Sequence, residues 1–200
     1  CLVECWDGSS ACGADLCPEE PTCTAGDVNG DDAVNVSDIV VMVNHILSGA
    51  GGAVECGDLN GDGNTNVSDI VSVVNIILAG GTARVDSATE ANIVITNDSI
   101  SIEADGFVQG VQLTLTHGED FSIDLTNAFV SDYRTEGNTT TLVVVTDGES
   151  SLTEVASISG NVVVESSTVA TPNGEVEADV TLELSSTFAV DIVGPNPFNP

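Results

Sequence analysis

Apolar residues follow two different periods along this chain, and the change falls near residue 89. In the first half, two stretches carry apolar side chains at i, i+4, i+7 and i+8, which is the spacing of one helix face. These positions are Ile39, Val43, Ile46 and Leu47, and then Ile70, Val74, Ile77 and Leu78. Each stretch is followed by a glycine that marks the end of a helix, Gly49 or Gly80. The pattern therefore predicts two short amphipathic helices.

From about residue 89, apolar and polar residues alternate as they do in half-buried strands. The alternating positions are Ile93/Ile95, Ile100/Ile102, Val111/Leu113/Leu115, Val162/Val164 and Val180/Leu182/Leu184. Continuous β-branched runs at 141–146 and 161–165 predict central strands, and turn dipeptides begin at Asn97, His117, Asp147 and Asn173. Strands about every ten residues, with no helices between them, predict an antiparallel β-sandwich.

Each predicted helix follows an oxygen-rich loop, and this unit occurs twice. Residues 27–47 read DVNGDDAVNVSDIVVMVNHIL, and residues 58–78 read DLNGDGNTNVSDIVSVVNIIL. Loop positions 1, 3, 5, 9 and 12 hold side-chain oxygens, and position 7 offers a backbone carbonyl. The predicted ligands are Asp27, Asn29, Asp31, Ala33, Asn35 and Asp38, then Asp58, Asn60, Asp62, Asn64, Asn66 and Asp69. Because calcium takes about six to eight oxygens, the pattern predicts two Ca²⁺ ions; solvated acidic turns are the alternative.

Loop position 6 differs between the repeats, being Asp32 in the first and Gly63 in the second. That turn usually needs a positive φ, which aspartate tolerates better than most residues. We therefore expect the first site to bind its ion more weakly.

The segments before the loops, PTCTAG and AVECG, are not those of an entering helix. Two loop–helix units without entering helices, each loop ending in Asp, resemble a type I dockerin over residues 26–80. The resemblance implies that loop positions 10 and 11 help to recognise a cohesin partner; here they are Val36–Ser37 and Val67–Ser68. Because the two dipeptides are identical, it also implies a near-symmetric surface that could dock either way round.

The second half resembles a cohesin-like β-sandwich. FVQGVQLTLTHGEDFSI at 107–123 is similar to an early strand motif of that family, and 141–165 to its later strand–loop–strand pair; another sandwich family is the alternative. The ending GPNPFNP at 194–200 resembles the junction that opens a type IX secretion sorting domain, which implies a cleaved or truncated chain. The plain alternative is a Pro-rich exit linker.

The predicted fold is therefore mixed, with two domains behind a disulfide-rich N-terminal segment. It comprises a Cys-rich segment 1–25, an all-α, calcium-binding, dockerin-like domain 26–80, a linker 81–88, an antiparallel β-sandwich 89–193 and a tail 194–200.

Six cysteines predict a secreted, extracellular or cell-surface protein, because disulfides persist in oxidising surroundings. They are Cys1, Cys5, Cys12, Cys17, Cys23 and Cys56. If all six pair, Cys56 must bond to one of the first five. A zinc site and a lipidated Cys1 are the alternatives. The chain begins at cysteine rather than methionine, so we expect a processed form or a fragment.

The charge balance disfavours two classes of partner. Lys+Arg is 2 against 32 for Asp+Glu, giving a net charge of −30, so nucleic acid and anionic membranes find no basic patch to bind. A hydrophobic content of 42% in a patterned sequence argues against a disordered acidic tail. No apolar run approaches the roughly 18 residues of a membrane span, so we expect no membrane insertion.

Catalytic motifs are lacking, and we expect no enzyme activity. We interpret His117 as a turn residue. We interpret the Glu119/Asp120 pair as part of a solvated edge of the sandwich rather than as a glycosidase dyad. Asn97 and Asn138 lie in sequons within predicted turns and could carry glycans.

Three functions remain open. The chain could be an extracellular assembly protein, whose dockerin-like unit docks onto a cohesin-like sandwich in its own or a neighbouring chain and builds a homo-oligomer or filament. It could be the non-catalytic tail of a polysaccharide-degrading enzyme that plugs into a separate scaffold. It could also be a calcium-stabilised adhesin.

Overall fold

The computed structural model describes residues 3–4, 10–12, 23–78 and 86–183. Several predicted features lie outside these ranges, namely Cys1, Cys5, Cys17, Gly80 and the tail 194–200. The pairing of those three cysteines and the sorting-domain junction therefore stay predictions.

Within the described ranges, two helices precede ten strands, and one short antiparallel pair lies before them. The pair is β1 (Val3–Glu4) and β2 (Ser10–Ala11), and the helices are α1 (Val36–Leu47) and α2 (Val67–Ile77). The other strands are β3 (Ala91–Ile95), β4 (Ser99–Ala104), β5 (Gly110–His117), β6 (Ser122–Leu125), β7 (Val130–Glu136), β8 (Thr139–Val145), β9 (Glu154–Ser159), β10 (Val162–Thr171), β11 (Gly174–Val176) and β12 (Ala178–Leu182). Ser87, in the predicted linker, already bridges to Phe107.

Each helix begins at loop position 10, because the asparagine at position 9 caps it. The side chains of Asn35 and Asn66 accept the backbone N–H of the serine two residues later. Asp38 and Asp69 in turn accept the backbone N–H of the capping residue, which completes a capping box. Most of the predicted apolar face is confirmed, since the buried positions include Ile39, Val43, Ile46, Leu47, Ile70 and Val74. Among the helices that the structure describes, none is long and apolar enough to span a bilayer.

Strands β3 to β12 form two five-stranded sheets around a shared core. The first sheet has the order β11-β10-β5-β8-β7, and the second has the order β12-β3-β4-β9-β6. Paired strands are antiparallel except β12 and β3, which are parallel with Val180 opposite Ile93. The prediction of a wholly antiparallel sandwich is wrong for this pair. The chain crosses there from the β10–β11 hairpin to the edge of the other sheet, and such a crossover permits parallel pairing.

The sequence pattern does not predict strands β7 and β9. β7 reads VSDYRTE and is almost wholly exposed, so no apolar alternation marks it; its pairing with β8 along its whole length makes it a strand. β9 falls in the 141–165 stretch, for which the resemblance implies strand, loop and strand. Its buried Val155 and Ile158 instead pack into the core.

The first sheet has a hydrophobic core on each side. The inner core lies between the sheets and includes Ile93, Ile100, Leu113, Leu115 and Leu142. On the outer face, Val143, Val145 and Ala170 pack with residues of both helices. Because successive side chains alternate between faces, the end of β8 is apolar at every position: Leu142 and Val144 face the inner core, and Val143 and Val145 face the outer core. The helices therefore share their core with the sheet.

One predicted disulfide is present, between Cys23 and Cys56, with the two Cα atoms 5.9 Å apart. It confirms that Cys56 bonds to one of the first five cysteines. The backbone N–H of Gly26 also donates to the carbonyl oxygen of Cys56 at 2.8 Å. These two links join the residues that immediately precede the two loops.

Candidate functional site

The first aspartate of each loop organises the turn that follows it. The carboxylate of Asp27 accepts the backbone N–H groups of Gly30, Asp31 and Asp32 at 2.9–3.1 Å. Asp58 accepts the N–H groups of the equivalent three residues at 2.7–3.1 Å. The backbone of the two repeats therefore turns in the same way around the aspartate at loop position 1.

The last aspartate of each loop is buried and ties the loop to its helix. Asp38 accepts backbone N–H groups from Val28, Asn29 and Asn35 at 2.8–3.0 Å. Asp69 accepts the equivalent three N–H groups at 2.8–3.3 Å. Burial raises the pKa of the Asp69 carboxyl, and the N–H groups of Asn66, Leu59 and Asn60 oppose that rise.

Loop position 6 adopts a positive φ in both repeats, as predicted. Asp32 has φ 66° and Gly63 has φ 87°. Since a side chain costs free energy in this region and glycine avoids most of that cost, the first loop is the more strained of the two.

The other predicted ligands lie along the exposed side of each loop. Asn29 Oδ1 accepts the N–H of Asp31, and Asp31 Oδ1 accepts the N–H of Ala33; Asn60, Asp62 and Asn64 repeat this arrangement. The available donors are all oxygens of carboxylates, amides and the backbone, which fit a hard cation such as calcium. Nowhere in the described ranges do three or more His, Cys, Asp or Glu side chains form a metal-binding group. Two calcium ions at these residues therefore stay a prediction.

The predicted docking residues of the two repeats occupy opposite environments. Val67 is 0% exposed and Ser68 is buried, whereas Val36 is 53% exposed and Ser37 is exposed. One turn further along, Val71 is 1% exposed and its counterpart Val40 is 54% exposed. We call Val67, Ser68, Val71 and Asn75 the α2 face, and Val36, Ser37, Val40 and Asn44 the α1 face.

The α2 face lies against the outer side of β5, β8 and β10, which we call the docking sheet. Gly110 of β5 permits this close approach. A Cβ atom at Gly110 would lie 2.9 Å from Val67 Cγ2 and 3.1 Å from Val71 Cγ2. A larger residue at this position would therefore meet the helix.

Hydrogen bonds surround this apolar contact. The backbone N–H of Val67 donates to Gln112 Oε1 at 3.2 Å, and Gln109 Nε2 donates to Asn75 Oδ1 at 3.0 Å. Asn66 Nδ2 donates to Glu175 Oε1 at 2.8 Å. The contact thus combines a packed valine pair with three hydrogen bonds across it.

Sequence reasoning missed most of the residues that complete this contact, including Val71, Asn75, Gln109, Gly110, Gln112 and Glu175. The i, i+4 pairs Val36/Val40 and Val67/Val71 were an available signal, because they form a second apolar stripe beside the predicted one. Nothing in the sequence distinguished the stripe that is covered from the one that is exposed.

The other candidate residues lie away from the loops. His117 ends β5, where its Nε2 lies 2.8 Å from Thr140 Oγ1 and its ring stacks on Phe121. Asn97 and Asn138 are exposed in the turns after β3 and β7, and glycosylation at either stays a prediction.

A paired loop–helix unit that packs on one sheet of a two-sheet domain, with residues of both helices in the contact, is the arrangement of a protein–protein docking module. Residues 25–78 match the family model of the dockerin type I domain, which confirms the resemblance seen in the repeats. A comparison with curated proteins finds no match. Among solved structures, the chain is similar to a non-cellulosomal cohesin from the hyperthermophilic archaeon Archaeoglobus fulgidus. The identity is 15% and the TM-score 0.34, over 50% of this chain and 92% of that chain.

Proposed function

We propose that this chain is a secreted, calcium-binding assembly protein whose dockerin-like unit docks through the α2 face onto the docking sheet of a β-domain. The observation that carries the proposal is the difference between Val67 and Val36. These residues are identical in type and position, yet only Val67 is buried against the sheet. Burying the valine pair removes apolar area from water, which stabilises the contact.

The same contact can build an assembly. In the structure it forms within one chain, and residues 79–85 join the two units. If the α2 face of one chain docks on the sheet of its neighbour, the contact is heterologous and extends head to tail unless it closes into a ring. Intrachain docking competes with this exchange, so assembly should increase with protein concentration.

Two further observations support an extracellular, calcium-rich setting. The Cys23–Cys56 disulfide suits an oxidising compartment. The loops present carboxylate, amide and backbone oxygens, and two ions would change the formal net charge only from −30 to −26 (−30 + 4). The proposal assigns no catalytic role to any residue.

The exposed α1 face favours a second candidate function. Val36 and Val40 leave a valine pair accessible that is identical to the docked one. A separate cohesin-type scaffold could bind there, as the tail of a polysaccharide-degrading enzyme would require.

Replacing each of the equivalent valines by aspartate separates these functions. In Val67→Asp a charge is buried at the contact and should weaken docking by roughly 3–5 kcal/mol. Val36→Asp introduces the same residue at the same helix position in solvent, where an acidic group near the helix N-terminus is tolerated. We expect Val67→Asp to give a more extended particle in small-angle scattering and to lose oligomers in negative-stain images, and Val36→Asp to match the parent.

The opposite result, in which only Val36→Asp abolishes assembly, supports the scaffold-binding tail. If neither variant changes the particle, the docking proposal is wrong.

A further inference from the structure

The two calcium loops differ in what their position-9 asparagine contacts. In the first loop, Asn35 Nδ2 donates to the backbone carbonyl of Ala33 at 3.0 Å. That carbonyl is the position-7 oxygen predicted to bind the cation. In the second loop, Asn66 Nδ2 donates to Glu175 Oε1 at 2.8 Å instead. Identical residues thus direct the same amide group toward different acceptors.

Glu175 reaches the second loop because of the way β10 and β11 meet. The hairpin turns at residues 172–173 and sets Glu175 opposite Ala170, which belongs to the outer core. The α2 face covers this part of the sheet, so docking brings the Glu175 carboxylate beside loop two. The α1 face is exposed, and among the described residues no carboxylate of the β-domain hydrogen-bonds to Asn35.

We propose that Glu175 is a positioning residue for the second calcium loop. Its carboxylate holds the Asn66 amide away from the position-7 carbonyl of Asn64 and adds a negative charge beside the loop, so docking strengthens cation binding at loop two alone. By linkage, calcium at loop two strengthens docking by the same factor. This inference rests on the proposed docking of α2 on the sheet.

The test is calorimetric titration of calcium into the full-length protein. We expect Glu175→Ala to weaken one of the two sites by about tenfold, the scale found for groups that orient metal ligands. Glu175→Gln keeps an acceptor for Asn66 but loses the charge, so its effect should be smaller. Glu165→Gln is the matched control, because it removes the same charge from β10 at a residue bonded to Thr116, and it should bind both ions as the parent does.

Asp58→Asn assigns the affected site, since it disables loop two and should remove the difference between parent and Glu175→Ala. Adding Glu175→Ala to the undocked Val67→Asp variant should also change nothing further.

If Glu175→Ala binds both ions with parental affinities while scattering shows a docked particle, the inference fails and the docking proposal stands. If Val67→Asp leaves the particle docked, the docking proposal itself fails. A chain that binds no calcium, or an equal loss at both sites, overturns the inference as well.

Discussion

Val36 and Val67 each follow an asparagine and precede a serine. Each begins a helix, and the two helices are nearly the same in sequence. The exposures of the two valines, 53% and 0%, nevertheless lie at opposite extremes. The type of a residue and its neighbours in the sequence therefore do not decide whether it is buried. Burial depends on whether another part of the protein packs against it.

Asp105 is a second residue whose surroundings decide its chemistry. It accepts hydrogen bonds from the Thr89 hydroxyl and from the backbone N–H groups of Thr89 and Glu90. The Thr89 hydroxyl and these N–H groups hold the pKa of the Asp105 carboxyl at about 2, below its usual 3.8. These bonds fix the entry of the chain into β3.

Because folding depresses the pKa of Asp105, its contribution to stability is complete above pH 3.8 and is lost as the pH falls through about 2. We expect Asp105→Asn to lower the melting temperature at pH 7, and the gap from the parent to close between these two pH values. Thermal unfolding followed by circular dichroism at several pH values measures this. Asp124→Asn, an exposed carboxylate on β6, is the control. A gap that is constant down to pH 2 would contradict the assigned cause.

At the scale of elements, α2 differs from α1 in having two buried sides. Ile70 and Val74 lie on the predicted apolar face, while Val67 and Val71 lie against the docking sheet. α1 contacts the sheet as well, but leaves Val36 and Val40 in solvent. The docking contact thus depends on α2 packing closely against the docking sheet, including at Gly110 of β5.

Gly110→Ala tests that approach. The new methyl group would lie within 3.1 Å of Val67, Val71 and Val145, and overpacking of this kind costs about 1–3 kcal/mol. We expect faster hydrogen exchange along α2 and a lower free energy of unfolding. Gly118→Ala, just beyond the other end of β5 where a Cβ meets nothing within 4 Å, should behave as the parent. Equal effects of the two substitutions would show that the close contact is unimportant.

At the scale of the whole molecule, the inner core of the β-domain contains no helix residue among those that the structure describes. The outer core needs both helices, and the helices begin at the two loops. Calcium should therefore control the folding of the helices and the outer core, and leave the inner core of the β-domain intact.

Removing calcium with a chelator should lower the helical signal in circular dichroism and release the docked unit, while the strand signal persists. An ion present at 1,000 times its Kd stabilises the folded state by about 4 kcal/mol. The unfolding transition that involves the helices should therefore shift most in temperature. Asp27→Asn combined with Asp58→Asn should reproduce the chelated state without chelator. Helical content that does not respond to calcium would contradict the coupling of metal binding to folding in residues 26–80.

Local patterns predicted the elements whose side chains repeat at a fixed spacing. Both helices and the strands from β3 to β5 follow from such spacing, whereas the asparagine caps were found only in the structure. β7 was missed because its exposed polar residues carry no period, and it exists only through pairing with β8. The parallel pairing of β12 with β3 was missed because strand direction depends on the path of the chain between sheets.

The sequence by itself determined two oxygen-rich loops, two helices, a domain of alternating strands and the reach of Cys56 toward the N-terminal cysteines. The loops, helices and strands depend on spacing within a short segment, which can be read along the chain; the Cys56 prediction follows from pairing all six cysteines. Only the tertiary structure decided which of two identical valine faces is covered, and that Glu175 meets Asn66 rather than Asn35. Those outcomes depend on contacts between residues 45 to 109 positions apart, and the valine pair and the asparagine before it are identical in the two repeats.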